Sequence, residues 1–108
     1  MNSKQLIAEL YLCAAQCHAC HKACLSEPDA KSLQRCITLD MECYDICHLT
    51  ARLLEKNSEN ADSYLKLCSE ICMLCAEECQ KHHHDHCQRC AAQCRKCAEM
   101  CQGHHVET

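Results

Sequence analysis

Hydrophobic and polar positions recur along most of the chain at intervals of three and four residues, which is the spacing of amphipathic helices. Residues 3–25 contain no Gly, Pro or Val and are rich in Ala, Leu, Gln, Glu and Lys, which favours a helix there. Three further segments share this pattern, and short polar stretches separate them. We therefore predict four helices, over about residues 3–25, 28–56, 59–81 and 86–102.

The connections between the predicted helices set the fold class. Ser26 and Pro28 form a helix-start signal, Ser58 is placed to cap the third helix, and Asp85 is placed to cap the fourth. Links this short cannot cross over a bundle, so consecutive helices must run antiparallel. We predict an all-α protein that forms one antiparallel up-down four-helix bundle over residues 1–108.

Cysteine recurs at the helical positions where a bundle usually places leucine. The first and third helices each carry four cysteines, spaced by 4, 3 and 4 residues; the fourth carries five, and the second carries three with Asp40 in a further slot. At about 100° per residue, each set lies on one stripe of its helix, which we expect to face the bundle axis. The sixteen cysteines are Cys13, Cys17, Cys20, Cys24, Cys36, Cys43, Cys47, Cys68, Cys72, Cys75, Cys79, Cys87, Cys90, Cys94, Cys97 and Cys101.

Composition indicates that these thiols are more than core packing. Leu, Ile, Val and Phe together supply only 17 of the 108 residues, against 16 Cys. A free Cys often acts as a small buried hydrophobe, but sixteen of them on four aligned stripes would pack poorly unless something fills the space between them. We expect bound metal to fill it.

Charge and composition exclude several classes of partner. The chain has 11 Lys and Arg against 15 Asp and Glu, and three Tyr without Trp or Phe, which is unsuited to nucleic acid. No apolar run is long enough for a membrane span, and Glu9 interrupts the apolar stretch that a signal peptide would need. We expect a cytoplasmic protein, and in that reducing compartment many cysteines favour metal binding over disulfides.

The spacing of the thiols favours Cu(I) among the soft metals. Thiolates select Cu(I), zinc or iron–sulfur clusters, and structural zinc commonly uses CxxC on turns, whereas i, i+4 thiols on one helix can hold a two-coordinate ion between them. Buried thiolates need compensating positive charge, so we predict about 16 Cu(I) per chain. A general soft-metal or zinc buffer, resembling metallothionein in role, stays open as the alternative. Seven CxxxC pairs carry this prediction: Cys13/Cys17, Cys20/Cys24, Cys43/Cys47, Cys68/Cys72, Cys75/Cys79, Cys90/Cys94 and Cys97/Cys101.

Histidines collect at one end of the predicted bundle, which we call the mouth (residues 25–30 and 82–86). Imidazole binds copper and should exchange it faster than a thiolate cage does. We predict that these histidines are metal ligands that guide copper in and out, namely His21, His82, His83, His84 and His86.

The remaining leucines and histidines receive other assignments. Four leucines, Leu6, Leu10, Leu54 and Leu65, continue the cysteine stripes at the end opposite the mouth and predict an apolar plug. We expect His18 and His48 to point into solvent, and His104 and His105 to form a tail.

No enzyme class is indicated. The segment Cys17-His18-Ala19-Cys20-His21 matches the attachment signature of c-type haem, but it occurs once and inside a longer cysteine stripe. The CxxC pairs lack the strand–helix alternation of a thioredoxin-type enzyme. We predict that the protein is not an enzyme.

On these CxxxC pairs and mouth histidines, the chain resembles the bacterial copper storage proteins, in particular their cytosolic branch. The resemblance implies that all sixteen cysteines bind Cu(I) and that the mouth histidines guide the metal. It also implies a bundle folded before loading, assembly into homotetramers, and a role in holding copper against toxicity or for copper enzymes. Asp40 departs from the pattern, which implies a thinner metal cluster near Cys36 and Cys43 unless Asp40 is itself a ligand or a fixed charge. Exposed leucines are candidates for the oligomer faces, namely Leu12, Leu49, Leu67 and Leu74.

Overall fold

The computed structural model describes residues 3–104, and these residues form four long helices. A short 3-10 helix, Ala30–Leu33, precedes the second of them. The predictions that concern His105 lie outside the described residues. The four helices are α1 (Ser3–Leu25), α2 (Gln34–Glu55), α3 (Ala61–Cys79) and α4 (Asp85–Gly103).

The helices form the predicted up-down bundle. Each packs against the two that neighbour it around a square: α1 against α2 and α4, and α3 against α2 and α4. Within residues 3–104 the backbones of the diagonal pairs, α1 with α3 and α2 with α4, do not approach each other closely, so the axis between all four helices is filled by side chains. The bundle is a rod of 49 × 18 × 18 Å. Among its described helices, none combines the length and the apolar character needed to cross a membrane.

The second helix begins at Gln34, so the predicted start at residue 28 is wrong. The Ser26 hydroxyl donates back to the Lys22 carbonyl (3.4 Å) and does not cap a following helix. The carboxylate of Asp29 is engaged by the Ser32 hydroxyl and by the imidazole of His84, 3.0 Å away. The segment between α1 and α2 therefore forms tight turns that hold Asp29 against His84 at the mouth.

The link between α2 and α3 is a Schellman turn centred on Asn57. Asn57 has a φ of 54°, a left-handed conformation that Asn tolerates, and its N–H bonds the Leu54 carbonyl at 3.1 Å. The Ser58 N–H reaches the Leu53 carbonyl at 2.9 Å, which completes the motif. The third helix then begins two residues later than predicted, because the Ser58 hydroxyl accepts the N–H of Asn60 (3.1 Å) before the helix starts.

The link between α3 and α4 is one residue longer than predicted and spans residues 80–84. The third helix ends at Cys79, two residues early, and the fourth begins at Asp85, one residue early and with His84 at the cap position. The amide of Gln88 donates to the carbonyls of Gln80 (3.0 Å) and His82 (2.7 Å), which fixes the turn between the two helices.

Leucine closes one end of the bundle, as predicted. The plug leucines are at most 5% exposed: Leu6, Leu10, Leu54 and Leu65. The predicted surface leucines are between 39% and 54% exposed: Leu12, Leu49, Leu67 and Leu74. His18 is exposed, but the prediction for His48 is wrong: its ring is half-buried between Tyr44 (centroids 4.6 Å apart) and Tyr11 (5.4 Å), because ring contacts between α1 and α2 cover it.

Candidate metal centre

All sixteen cysteines are free thiols and all are buried along the bundle axis. Fifteen have no exposed surface, and Cys101 is 4% exposed. Small buried alanines lie among them where the helices approach each other, including Ala14, Ala76 and Ala98. The cysteine spacing of three and four residues therefore places every cysteine stripe on the inward face of its helix.

Thiols from different helices approach within bonding range of a shared ion. The shortest sulfur–sulfur distances are Cys36 to Cys79 at 3.0 Å, and Cys17 to Cys94 and Cys43 to Cys72, both at 3.4 Å. A metal–thiolate bond is about 2.3 Å long, so one ion can bridge sulfurs up to about 4.6 Å apart. Five of the CxxxC pairs also lie at 3.9 Å, namely Cys20/Cys24, Cys43/Cys47, Cys68/Cys72, Cys75/Cys79 and Cys90/Cys94.

The possible metal sites overlap, because single thiols belong to more than one of them. Within each candidate set, all the ligand atoms lie within 4.8 Å of one another. Five thiols belong to at least two sets each, namely Cys13, Cys17, Cys20, Cys90 and Cys94. A shared thiol can bridge two ions, so neighbouring sites are linked into one column. The sets include Cys13, Cys47, Cys72 and Cys97; Cys13, Cys17, Cys43 and Cys94; Cys17, Cys75, Cys90 and Cys94; and Cys20, Asp40, Cys79 and Cys90.

Asp40 occupies the centre of the column and has no exposed surface. Its Oδ1 accepts hydrogen bonds from the thiols of Cys75 (3.2 Å), Cys90 (3.3 Å) and Cys79 (3.5 Å). Burial, then the neighbouring Cys90, Cys75 and Cys36, raises the pKa of Asp40 to about 11. The carboxyl is therefore neutral at pH 7 in the metal-free protein, which argues against the alternative that Asp40 is a fixed charge.

Burial also keeps thiols near the mouth protonated. It raises the pKa of Cys87 to about 12, with Cys36 adding to the shift. The pKa of Cys24 is raised by the same burial and by repulsion from Cys36 and Cys87. Cys24 and Cys87 are therefore neutral at pH 7 in the metal-free protein, and each must lose a proton before it can act as a thiolate ligand.

His86 is the histidine that the structure brings to the thiols. Its Nδ1 lies 3.6 Å from the sulfurs of Cys20 and Cys87 and 3.8 Å from that of Cys24. These four side chains are close enough to bind one ion together. The opposite ring nitrogen, Nε2, contacts the Glu27 carboxylate at 2.9 Å. His86 thus joins the thiol column to the polar surface of the mouth.

His83 and His84 form a stack on the outer side of His86. The rings of His84 and His86 are 5.3 Å apart and nearly parallel, and His83 stacks on His84 at 4.7 Å. His84 Nδ1 contacts Glu27 at 2.8 Å, and its Nε2 contacts Asp29 at 3.0 Å. The hydrogen bond from His84 lowers the pKa of Asp29.

His82 and His21 lie elsewhere in the mouth region and face other partners. His82 Nε2 contacts Glu78 at 2.9 Å, and Glu78 also pairs with Arg35 at 3.3 Å. His21 Nδ1 lies 3.1 Å from the Ile37 carbonyl. Of the five predicted histidine ligands, His86 lies against thiols, and the metal-binding roles of all five stay predictions.

The carboxylates that hold these rings were not predicted from the sequence. Glu27, Asp29 and Glu78 each contact a mouth histidine, and two of them flank Pro28 in the α1–α2 connection. A signal was available, since these acids and the histidines fall at the same end of an antiparallel bundle. Each acid also had an ordinary interpretation as a cap or a solvated surface charge, which hid that pairing.

Comparison with known proteins agrees with this geometry. The sequence profile of the copper storage protein family, Csp, matches residues 1–106. A curated relative, the uncharacterized cysteine-rich protein YhjQ of Bacillus subtilis strain 168, is 43% identical over 76 residues, which is 70% of each chain.

Solved structures of copper storage proteins share the fold. Csp3 of Bacillus subtilis matches at 40% identity over 94% of this chain and 96% of that one, with a TM-score of 0.90 when Cu(I)-bound and 0.88 as the apo protein. A cytosolic copper storage protein from Streptomyces lividans, bearing five coppers, matches at 39% identity over 93% of this chain and 88% of that one, with a TM-score of 0.90. With its profile match and these relatives, the chain belongs to the copper storage protein family.

Proposed function

We propose that this protein stores Cu(I), holding many ions per chain through cysteine thiolates inside the bundle and so limiting copper toxicity. The observation that carries the proposal is the sharing of thiols between neighbouring candidate metal sites in the column. When each thiolate bridges two ions and each ion binds two thiolates, metal and ligand charges balance at a ratio of one to one. The expected capacity is about 16 Cu(I) per chain.

The chemistry of loading is ligand exchange, with no catalytic step. A Cu(I) ion leaves its carrier for a thiol, the thiol proton passes to solvent, and the metal keeps its oxidation state. Overlapping sites allow the ion to move inward by forming one Cu–S bond as another breaks. We propose that His86 receives the ion first, and its Nδ1, within 3.8 Å of three thiols, supports this role. The protein is proposed to be a store and not an enzyme.

The decisive experiment is an anaerobic titration of the reduced protein with Cu(I) in competition with a chromogenic Cu(I) chelator. Saturation near the number of thiols supports storage, and a capacity of about four Cu(I) or fewer contradicts it. Parallel zinc titration tests the alternative of a general soft-metal buffer, because four-ligand sets within 4.8 Å could also hold zinc tetrahedrally. Tighter stoichiometric binding of zinc than of Cu(I) would favour that alternative.

A matched pair of variants tests whether the Cu(I) capacity depends on shared thiols in the column. Cys94 contacts Cys17 at 3.4 Å and Cys13 and Cys43 at 3.9 Å, so Cys94→Ser removes a bridging ligand and should lower the capacity by one or two ions. His18 is exposed and its ring lies against Tyr44, so His18→Ala serves as the control and should leave the capacity unchanged. Equal capacities for both variants would argue against shared thiolate ligands.

Location and assembly complete the proposal. We place the store in the cytosol, in a compartment that keeps its thiols reduced, as a homotetramer that needs neither nucleic acid nor membrane. The surface leucines supply apolar area for assembly, with Leu12 on α1 and Leu74 on α3 both more than 40% exposed. Light scattering coupled to size-exclusion chromatography measures the assembly directly. A monomer at micromolar concentration would remove the tetramer from the proposal and leave storage intact.

A further inference from the structure

A groove of about 390 Å³ opens between α3 and α4 at the end of the bundle opposite the mouth. It passes beside the plug, since Leu65 forms part of its wall. The groove also reaches the thiol column, because Cys101 lies in its lining together with His104. We call this feature the rear groove and define it by Asp62, Leu65, Lys66, Glu70, Cys101 and His104.

Cys101 is the one thiol of the sixteen that has measurable exposure, at 4%. Cys101 is also connected to the rest of the thiol column. Its thiol interacts with those of Cys68 and Cys97, and Cys68 lies 3.7 Å from Cys47 and 3.9 Å from Cys72. An ion bound at Cys101 therefore has neighbouring thiols within reach in the inward direction.

His104 supplies a second ligand atom beside Cys101. Its Nε2 is buried and has no hydrogen-bond partner within residues 3–104. His104 directly follows the last residue of α4, its backbone N–H bonds the Cys101 carbonyl at 3.4 Å, and both residues line the rear groove. Imidazole and thiol together are a donor set suited to Cu(I).

The electrostatics of the rear groove suit a cation. Asp62 and Glu70 line it together with a single base, Lys66, so the lining carries a net negative charge. A cleft lined by one sign of charge raises the local concentration of the opposite ion and its rate of association. The mouth has the same design, with Glu27 and Asp29 beside its histidines.

We propose that the rear groove is a second uptake site for Cu(I), in which His104 Nε2 receives the ion and Cys101 Sγ takes it into the column. The proposal rests on Cu(I) storage as the function. In the transfer a Cu–S bond to Cys101 replaces a bond to the carrier, the thiol proton leaves to solvent, and copper stays Cu(I). Cys101 and His86 are fifteen residues apart on α4, about 22 Å, so this opening serves thiols that the mouth reaches only through many exchanges.

The test measures uptake rates with the mouth histidine removed. Stopped-flow mixing with the Cu(I) complex of bicinchoninate is applied to His86→Ala, to His86→Ala/His104→Ala and to His86→Ala/Glu70→Gln. His86→Ala/Glu77→Gln is the matched control, because Glu77 lies two turns from Glu70 on the same face of α3 and outside the groove. Loss of His104 should slow uptake about tenfold and Glu70→Gln less, with the control unchanged.

A second measurement locates the first ion without relying on rates. His86→Ala is loaded with one Cu(I) per chain, treated with iodoacetamide and mapped by mass spectrometry. Protection of Cys101 and Cys97 before Cys24 and Cys87 is expected. Earlier protection of Cys24 and Cys87, or no effect of His104→Ala on the rate in chains shown to be folded by circular dichroism, overturns the second uptake site.

Failure of the proposed function gives a different result. Wild-type protein that saturates at about four Cu(I) or fewer would refute storage itself. Full capacity together with rates that do not depend on His104 or Glu70 refutes only the rear groove as an uptake site.

Discussion

Glu27 and His86 form a hydrogen bond of 2.9 Å that sets which nitrogen of the imidazole faces the thiols. Because a carboxylate only accepts, the neutral ring carries its proton on Nε2, and Nδ1 is left with its lone pair toward Cys20 and Cys87. A metal-binding histidine needs this orientation, in which one ring nitrogen is free for the metal and the other donates to a carboxylate.

Glu27→Gln should therefore slow Cu(I) uptake without lowering capacity. The new amide can donate to Nε2, which places the ring proton on Nδ1 and removes the lone pair from the thiol side. Loss of such a carboxylate partner costs about tenfold or more at known metal sites. Stopped-flow uptake from a chelator measures the rate, with Glu42→Gln, an exposed acid on α2, as control. An unchanged rate, or a large loss of capacity, would count against this role.

Loading should release protons at pH 7, because thiols such as Cys24 and Cys87 are protonated before the metal binds. Burial raises the pKa of Cys87 to about 12, so neutral pH lies well on the protonated side. For the same reason apparent Cu(I) affinity should fall as the pH is lowered, since protons compete with the metal. A weakly buffered indicator solution records the release. Protein alkylated at all cysteines should release none, and near-zero release from the free protein would mean that thiolates exist before loading.

The plug should contribute stability and no copper capacity. Leu10 is fully buried and Leu12, two residues along α1, is 54% exposed, which makes them a matched pair. Leu10→Ala should lower the free energy of unfolding of the metal-free protein by about 3 kcal/mol, and Leu12→Ala should change it by less than about 0.5 kcal/mol. Urea unfolding followed by circular dichroism checks both values. Equal effects, or a fall in Cu(I) capacity for Leu10→Ala, would contradict a purely apolar plug.

Periodicity was enough to predict the bundle and the lining of its axis. A stripe of cysteines at spacings of 3 and 4 has only one buried direction in an antiparallel bundle, so the contact of Cys43 with Cys72 follows from the pattern. The start of α2 could not be predicted this way. Ser26 and Pro28 match a local helix-start signal, but Asp29 is bound to His84, which lies 55 residues along the chain. Local signals fail where a distant residue binds a side chain of the turn, as His84 binds Asp29.

The mouth was predictable as a cluster and not as a set of contacts. Sequence spacing placed His82 and His86 at one end, but it could not show that His82 pairs with Glu78 whereas His86 meets the thiols. Those choices depend on side-chain direction at helix ends, where the chain leaves the regular period. Asp40 was located in its stripe, but its neutral state depends on burial and on three thiols from α2, α3 and α4.

Asp40 should make the metal-free protein less stable as the pH rises. Its pKa is raised to about 11 in the folded chain and has its ordinary value in the unfolded chain, so the unfolded state loses this proton first. The stabilising contribution is complete below the ordinary Asp pKa and is lost progressively as the pH climbs toward the folded value. Asp40→Asn keeps the shape and removes the titration.

Between pH 5 and 8, the free energy of unfolding of the wild type should fall relative to Asp40→Asn by about 1.4 kcal/mol per pH unit. Urea unfolding of both proteins under reducing, metal-free conditions gives the two slopes. Asp45→Asn, an exposed acid on the same helix, should follow the wild type. Parallel curves for wild type and Asp40→Asn would show that the buried carboxyl is not held neutral. The difference in slope isolates the buried group, because Asp45 is solvated in both states and contributes no comparable change.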